Sequence, residues 1–224
     1  MIRRTAMLLL AGALVWAAAP GYSAKAFKTG WLQDYHRLGH VGGVPLEQIW
    51  IDGEFDIRNY RVLYVPPVQI DPCAYRKGGE CDRAAAQRLA TELRSNLVRQ
   101  LQAAGIFEFV STDPYFMNSG RQALTLQLRI TELFTGNPKA RSYIGLGAGA
   151  TQVQLEGKLY DQHSTRTWME FADRRLHTGS TLLIGKSATE DGEYLIGIDL
   201  KQMMDGIFKA FVYMREEGPV NNQP

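Results

Sequence analysis

Cysteine is almost absent from this sequence: only two of the 224 residues are cysteines. Cys73 and Cys81 have seven residues between them, which matches neither the C-x-x-C redox motif nor the common spacings of zinc ligands. In an oxidising compartment a plain disulfide bond between Cys73 and Cys81 is the stronger interpretation, and a metal or redox pair is the weaker one. Such a bond would stabilise the fold by about 2–3 kcal/mol, because it restricts the unfolded chain.

A large excess of charge of either sign is also absent. The whole chain has a formal net charge of +2, and three of its cations, Arg3, Arg4 and Lys25, lie in the first 25 residues. The remainder of the chain is therefore close to neutral. The sequence gives no electrostatic reason to expect nucleic acid as a partner.

The chain has only one long apolar run, residues 6–19 near the N-terminus, and this run carries no charge. This run follows a short basic start and is too short to span a bilayer, which takes about 20 residues. Ala24-Lys25-Ala26 supplies the small-x-small site that signal peptidase needs. The sequence predicts a signal peptide over residues 1–26, cleavage after Ala26 and an exported, periplasmic protein. No cysteine lies near this site, so no lipid attachment is predicted, and a peripheral contact with the outer membrane is left open.

Periodicity predicts two amphipathic helices and a sheet. Apolar residues recur at three- and four-residue steps over residues 82–105 and again over 199–216, where Asp199 and Gln202 resemble a capping pair. Strands are predicted at residues 60–65, 106–110, 124–130, 153–159 and 167–176. Residues 124–130 alternate strictly between apolar and polar side chains, which predicts one buried and one solvated face. The last two strands are predicted to form an antiparallel hairpin.

This order of elements predicts an α+β fold. We expect a single mixed, mostly antiparallel sheet with two amphipathic helices packed on one face, in the order strand, helix, strand, strand, hairpin, helix. Residues 27–217 would form one envelope domain that begins with an irregular N-terminal arm over residues 27–59. Residues 218–224 would be a polar tail.

Catalytic and metal-binding motifs are scarce as well. His36 and His40 could share a helix face, but the neighbouring glycines disfavour a long helix there. His163 falls in a predicted turn and His177 after a strand, and both are expected to be solvent-exposed. Asp173 is followed by two arginines, so a structural ion pair is favoured over a catalytic acid. We expect no catalytic residue, no metal and no cofactor.

One glycine-rich stretch, residues 145–149, leaves two interpretations open. A phosphate loop is disfavoured, because the following residues alternate as a strand and no Lys-Ser or Lys-Thr pair follows. The stretch is either a flexible crossing that packs tightly against another backbone or a loop that touches a partner or lipid headgroups. The candidate partner-contact residues are Lys139, Arg141, Tyr143, Gly145, Gly147 and Gly149.

Several segments together resemble a bacterial envelope family, domain of unknown function 3313. Residues 31–38 (WLQDYHRL) resemble its F-L-x-D-Y-S-x-L start, and residues 60–68 (YRVLYVPPV) resemble its Y-x-x-V-x-V-D-P-V strand. Residues 126–133 (LQLRITEL), 154–161 (QLEGKLYD) and 172–175 (ADRR) resemble its later strands. Many members are lipoproteins of Gram-negative bacteria, whereas this chain lacks the lipid-bearing cysteine. The layout is also similar to the N-terminal domain of the TolB type and to the curli-secretion lipoprotein, a likeness of fold that carries no function.

Three functional hypotheses follow. The leading one is a non-catalytic envelope protein that binds a protein or a cell-wall component in the periplasm. The alternative is an accessory component of an outer-membrane secretion or transport assembly. The third is an unrecognised periplasmic enzyme, which a pocket that gathers Asp173, Arg175 and His177 would favour.

Overall fold

The computed structural model describes residues 22–71, 83–115, 122–137, 149–161, 163–164, 166–177 and 192–219. Within these residues the chain forms one sheet, two α-helices and a short 3-10 helix, Ile57–Asn59. The helices are α1 (Arg83–Ala103) and α2 (Gly192–Glu217). The strands are β1 (Tyr22–Ser23), β2 (Gln48–Ile51), β3 (Val62–Tyr64), β4 (Gln69–Ile70), β5 (Phe109–Ser111), β6 (Ala123–Phe134), β7 (Thr151–Asp161) and β8 (Thr167–His177).

The sheet is built on three long antiparallel strands, β6, β7 and β8. The strand order is β1-β8-β7-β6-β3-β5, while β2 also pairs with β8 and β4 also pairs with β6. The strands β3, β4, β5 and β6 pair with one another in parallel, and α1 connects the parallel side of the sheet between β4 and β5. The predicted α+β fold with a mixed, mostly antiparallel sheet is therefore confirmed, as is the β7–β8 hairpin.

Both helices lie on the same face of the sheet. The apolar side of α1, which includes Leu93, Leu97 and Leu101, belongs to one buried cluster with the apolar side of α2 and with alternate residues of the three long strands. Gly105 follows α1 with a φ of +62°, the left-handed conformation expected of a glycine that ends a helix. Within the described residues, neither helix is long and apolar enough to cross a membrane.

Three details differ from the prediction. The second helix begins at Gly192 rather than at residue 199, so the predicted capping role of Asp199 is wrong, and its side chain is buried inside the helix layer. The strand predicted at residues 124–130 extends to Phe134. Its predicted solvated face is largely covered: Thr125 and Thr131 are buried, and Gln127 is only partly exposed.

The cover on that face is the N-terminal arm, for which we use the range 24–41 below. The arm contacts Glu156 of β7 and Glu170 of β8. Their chain neighbours Leu155 and Phe171 belong to the cluster beneath the helices. Because successive side chains of a strand point to opposite faces, the arm lies on the face away from the helices. Ala26, Leu32 and Leu38 form a small apolar cluster with Ala172 of β8. The arm is irregular over residues 31–38, as the sequence predicts.

Candidate functional site

Beneath the N-terminal arm, Glu156 of β7 is completely buried. Its carboxylate accepts hydrogen bonds from Thr29 Oγ1 at 2.8 Å, from the Tyr35 hydroxyl at 3.0 Å and from Gln154 Nε2 at 2.9 Å. Burial raises the pKa of the Glu156 carboxyl, and the hydrogen bonds from Thr29, Tyr35 and Gln154 act in the opposite direction. The buried acid thus serves as the anchor for the irregular arm.

A second buried acid, Glu170 of β8, anchors the arm at another point. It accepts hydrogen bonds from the backbone N–H of Gln33 at 2.9 Å and from Arg37 Nη2 at 2.8 Å. The guanidinium of Arg37 also lies 3.5 Å from the ring centre of Trp50, a cation–π contact. Glu170 is excluded from solvent, and Arg37 compensates its charge.

Trp31 lies between two cations on the same face of the sheet. Lys158 Nζ is 4.6 Å and the guanidinium of Arg129 is 5.8 Å from the ring centre, and Arg129 Nη2 donates to Asp71 Oδ2 at 3.0 Å. Burial lowers the pKa of the Lys158 ammonium. Trp31 of the arm thus packs against cationic side chains of β6 and β7.

On the helix face, the predicted ion pair of Asp173 is confirmed. Arg175 donates from Nε and Nη2 to the two carboxylate oxygens of Asp173, at 3.0 and 2.8 Å, and its Nη2 also donates to the carbonyl of Pro45. Asp173 is fully buried, and this burial raises the pKa of its carboxyl, while Arg175 lowers it. The pair links β8 to the segment that leads into β2.

The prediction that His177 is exposed is wrong. His177 is the last residue of β8, pairs in register with Thr151 and is only 4% exposed. Its Nδ1 lies 3.9 Å from Asp199 Oδ1 of α2. His163 is exposed in the turn between β7 and β8, as predicted, and His36 and His40 are exposed as well. Among the described residues no group of three or more His, Cys, Asp or Glu side chains could hold a metal ion.

A concave feature of the described residues lies elsewhere, between α1 and α2. Arg88 Nη2 lies 3.0 Å from Glu193 Oε2, and Gln100 Nε2 lies 3.5 Å from Asp205 Oδ1. Each contact joins residues that are 105 positions apart, so the two helices run parallel in constant register. Between the two helices is a groove of about 800 Å³, which is lined mostly by apolar atoms.

We call this feature the interhelical groove. Its apolar lining consists of Leu89, Leu93, Ala103, Tyr194, Gly197, Ile198, Leu200 and Met204, and its polar lining consists of Glu92, Asn96, Arg99, Gln100, Glu193, Lys201 and Asp205. Gly197 widens the groove, because a Cβ atom at this position would contact only Leu89 Cδ2, at 3.9 Å.

The groove and the ionisable clusters are separate. Asp173, Arg175 and His177, the three residues that would favour an enzyme, come together on β8 but do not line the groove. Glu156 and Glu170 lie on the opposite face of the sheet, beneath the arm.

Most of the residues predicted to form the disulfide or the partner-contact loop lie outside the described part of the chain. Gly149 is the exception: it has a φ of +71° and its carbonyl accepts a hydrogen bond from the backbone N–H of Asn137 at 3.0 Å, as a turn at the start of β7 requires. The disulfide and the contact loop therefore stay predictions for the residues outside the described ranges, which are Cys73, Cys81, Lys139, Arg141, Tyr143, Gly145 and Gly147.

Sequence reasoning missed both the groove and the buried acids. Glu156 and Glu170 occupy the polar positions of alternating strands, which is also the pattern of a solvated face. A glycine at residue 197 is the signal that could have indicated the groove, but the helix was predicted to begin after it. An earlier start would have placed this glycine on the side of α2 that faces α1.

Comparison with known proteins places the chain among domains without an assigned role. The solved structures that are similar share little sequence with it. A PelC dodecamer from Paraburkholderia phytofirmans is 12% identical (TM-score 0.37), with 68% of this chain and 94% of that chain covered. Protein XCC0632 from Xanthomonas campestris is 14% identical (TM-score 0.40; 70% and 89% covered), and lipoprotein GNA1162 from Neisseria meningitidis is 14% identical (TM-score 0.33; 65% and 99% covered).

No curated protein matches the sequence. One family model does match, over residues 65–181, which is just over half of the chain. It differs from domain of unknown function 3313, which the sequence motifs resemble. The chain belongs to the family described as domain of unknown function DUF4410.

Proposed function

We propose that this chain is an exported, non-catalytic protein of the cell envelope that acts by binding a partner, either an envelope protein or a cell-wall component. The observation that carries the proposal is the separation of the interhelical groove from the buried ionisable residues. Enzymes usually bring perturbed titratable groups together inside a concave site. In the described part of this chain, Glu156 and Asp173 hold segments of the fold together instead.

The cellular location rests on the N-terminal sequence. Residues 1–26 have the pattern of a cleaved signal peptide, and the motifs similar to domain of unknown function 3313 agree with a Gram-negative envelope. A chain cleaved after Ala26 lacks β1 and the buried Ala26, so only β2 remains paired with the outer edge of β8. The predicted disulfide of Cys73 and Cys81 belongs to the same proposal, because it requires an oxidising compartment.

Exposed aromatic side chains are the candidate contact points for a macromolecular partner. Tyr115 is 77% exposed and Phe27 is 55% exposed, and aromatic residues are enriched in protein interfaces. Tyr143 belongs to the glycine-rich stretch that sequence analysis selects as a contact loop. These three positions sample different parts of the chain.

Photo-crosslinking in living cells tests this function. A photo-reactive amino acid is placed at Phe27, Tyr115 or Tyr143, with Lys209 on the exposed side of α2 as the control position. The proposal expects one stoichiometric envelope partner to be captured from at least one of the three positions and not from Lys209. Absence of any stoichiometric partner at all three positions contradicts it.

A further inference from the structure

We propose that the edge of β8 that β1 covers in the uncleaved chain, residues 174–176, binds an extended segment of the partner once residues 1–26 have been removed. The segment adds to the sheet as an antiparallel strand, which is a common mode of peptide recognition. This inference rests on the proposed function, because only the exported chain lacks β1, and it selects an envelope protein over a cell-wall component.

In the uncleaved chain, the end of the signal peptide lies on this edge. Strand β1 pairs antiparallel with Arg175 and Leu176, and the backbone N–H of Ala24, which follows β1, donates to the carbonyl of Arg174 at 2.9 Å. Hydrogen-bonded and non-hydrogen-bonded residue pairs alternate along an antiparallel ladder. Arg174 and Leu176 therefore direct their backbone groups towards β1, on the side of β8 away from β7.

Cleavage after Ala26 removes this cover. On the same side of β8, the strand β2 reaches only to Ala172, which pairs with Gln48, and among the described residues β1 alone continues the pairing past that point. The outward backbone groups of Arg174 and Leu176 thus lose their strand partner. Unpaired edge groups of this kind are a template for another strand.

The edge keeps its shape without β1. On its other side, β8 stays paired with β7 as far as His177. The side chain of Arg174 donates to Glu132 at 2.6 Å, and that of Arg175 is held by both carboxylate oxygens of Asp173. A site that is already ordered reduces the entropy lost when a strand binds.

The residues that leave show which side chains this site accepts. Ser23 Oγ donates to Glu47 Oε2 beside the edge, and Glu47 stays in the exported chain, next to β2. Ala26 is only 7% exposed and packs against Ala172 of β8, so its removal leaves an apolar surface uncovered. The site therefore fits a segment with a hydroxyl residue three positions before a small apolar residue, which is the spacing of Ser23 and Ala26.

A second copy of this chain is a poorer occupant than a different protein. A two-fold pairing centred on the edge at residues 174–176 places Arg175 opposite the Arg175 of the other copy. Like charges at facing positions of neighbouring strands are destabilising. The charge of the edge thus favours a segment that has no cation at this position.

A nuclear magnetic resonance titration of the isotope-labelled exported chain tests the proposal. The probe is the acetylated and amidated peptide Gly-Tyr-Ser-Ala-Lys-Ala, which has the sequence of residues 21–26. We expect saturable shifts of the backbone amide signals of Arg174 and Leu176, with a dissociation constant of about 1 mM or tighter.

Two controls make the result specific. A peptide with proline at the position of Ala24 lacks the N–H that donates to Arg174, so its affinity should fall at least about tenfold. The uncleaved chain of 224 residues covers the edge with its own β1 and should show no shift at these amides. Both chains are measured in the same mild detergent.

Each outcome bears on the edge separately from the proposed function. Absence of shifts at millimolar peptide, equal binding of the proline peptide, or equal binding by the uncleaved chain overturns the proposal. A dimer of the exported chain that the peptide converts to a monomer in light scattering assigns the edge to a second copy and overturns it too. A partner captured at Tyr115 or Tyr143 without any peptide binding contradicts the edge alone, whereas peptide binding without a captured partner supports the edge and contradicts the proposed function.

Discussion

Gly206 of α2 packs directly against Leu46, such that a Cβ atom on residue 206 would lie 2.8 Å from Leu46 Cδ2 and 3.2 Å from the carbonyl oxygen of Pro45. Leu46 is only 1% exposed, so its side chain is enclosed by its neighbours. The absence of a side chain at residue 206 therefore lets the segment before β2 pass beneath the helix layer.

Substitution of the two interior glycines of α2 should have opposite effects. Gly206→Ala overpacks the contact with Leu46 and should lower the free energy of unfolding by about 1–3 kcal/mol. Gly197→Ala meets only Leu89 Cδ2 at 3.9 Å and should raise it by up to about 1 kcal/mol, because alanine is the better helix former. Urea unfolding of the two variants measures both values. Equal effects of the two substitutions would show that residue 206 is not tightly packed.

Gly157 and Phe171, which face each other on β7 and β8, should behave as one unit. A Cβ atom on residue 157 would lie 2.1 Å from Phe171 Cε1, so Gly157→Ala should destabilise the fold by about 3 kcal/mol. Phe171→Ala should cost about 3–5 kcal/mol through the cavity that it leaves. In the double variant the new methyl group occupies space vacated by the ring, so the total loss should be smaller than additive by at least about 1 kcal/mol. Additive losses would refute this contact.

The ion pairs of Arg37 and Arg166 should contribute differently to the free energy of unfolding. Arg37→Ala removes the cation that is hydrogen-bonded to the buried Glu170 and leaves only the charge of Lys158, its register partner on β7. This change should lower the free energy of unfolding by about 2–4 kcal/mol. Arg166→Ala breaks ion pairs with Glu54 and Asp52 and a cation–π contact with Trp168. Because the Arg166 side chain is 44% exposed, the change should cost only about 1 kcal/mol. Chemical denaturation of both variants gives the comparison, and a negligible loss in Arg37→Ala would contradict the anchoring role of Glu170.

The pH dependence of stability should report the buried carboxyl of Glu156. Its pKa is raised in the folded state above the ordinary value of 4.5, so the folded chain binds this proton more tightly than the unfolded chain does. Its favourable contribution is complete below the unfolded pKa and is lost as the pH rises through the folded pKa. Glu156→Gln does not titrate, so the stability of the wild type relative to Glu156→Gln should decline as the pH increases above about 4.5. Urea unfolding from pH 4 to pH 8 measures this difference, and a relative stability that increases with pH would contradict the raised pKa.

Local sequence patterns are sufficient to predict the two helices, the hairpin and the α+β class. The apolar steps of α1 and the glycine at residue 105 are local signals, and the structure realises both. The start of α2 is harder to predict. Aspartate is a residue type that often caps helices, but Asp199 lies inside α2, buried opposite His177. The N-terminal arm shows the same limit. Whether Glu156 faces water or a covering segment depends on Thr29 and Tyr35, which are more than 120 residues away in the sequence.

Export is the claim on which the envelope partner and the disulfide both depend. Intact mass spectrometry of the native chain from its cells, combined with thiol alkylation before and after reduction, tests it most directly. The account predicts a periplasmic chain that begins at Phe27 and whose Cys73 and Cys81 react only after reduction. A cytosolic chain that retains Arg3 and has both cysteines alkylated without reduction would contradict it.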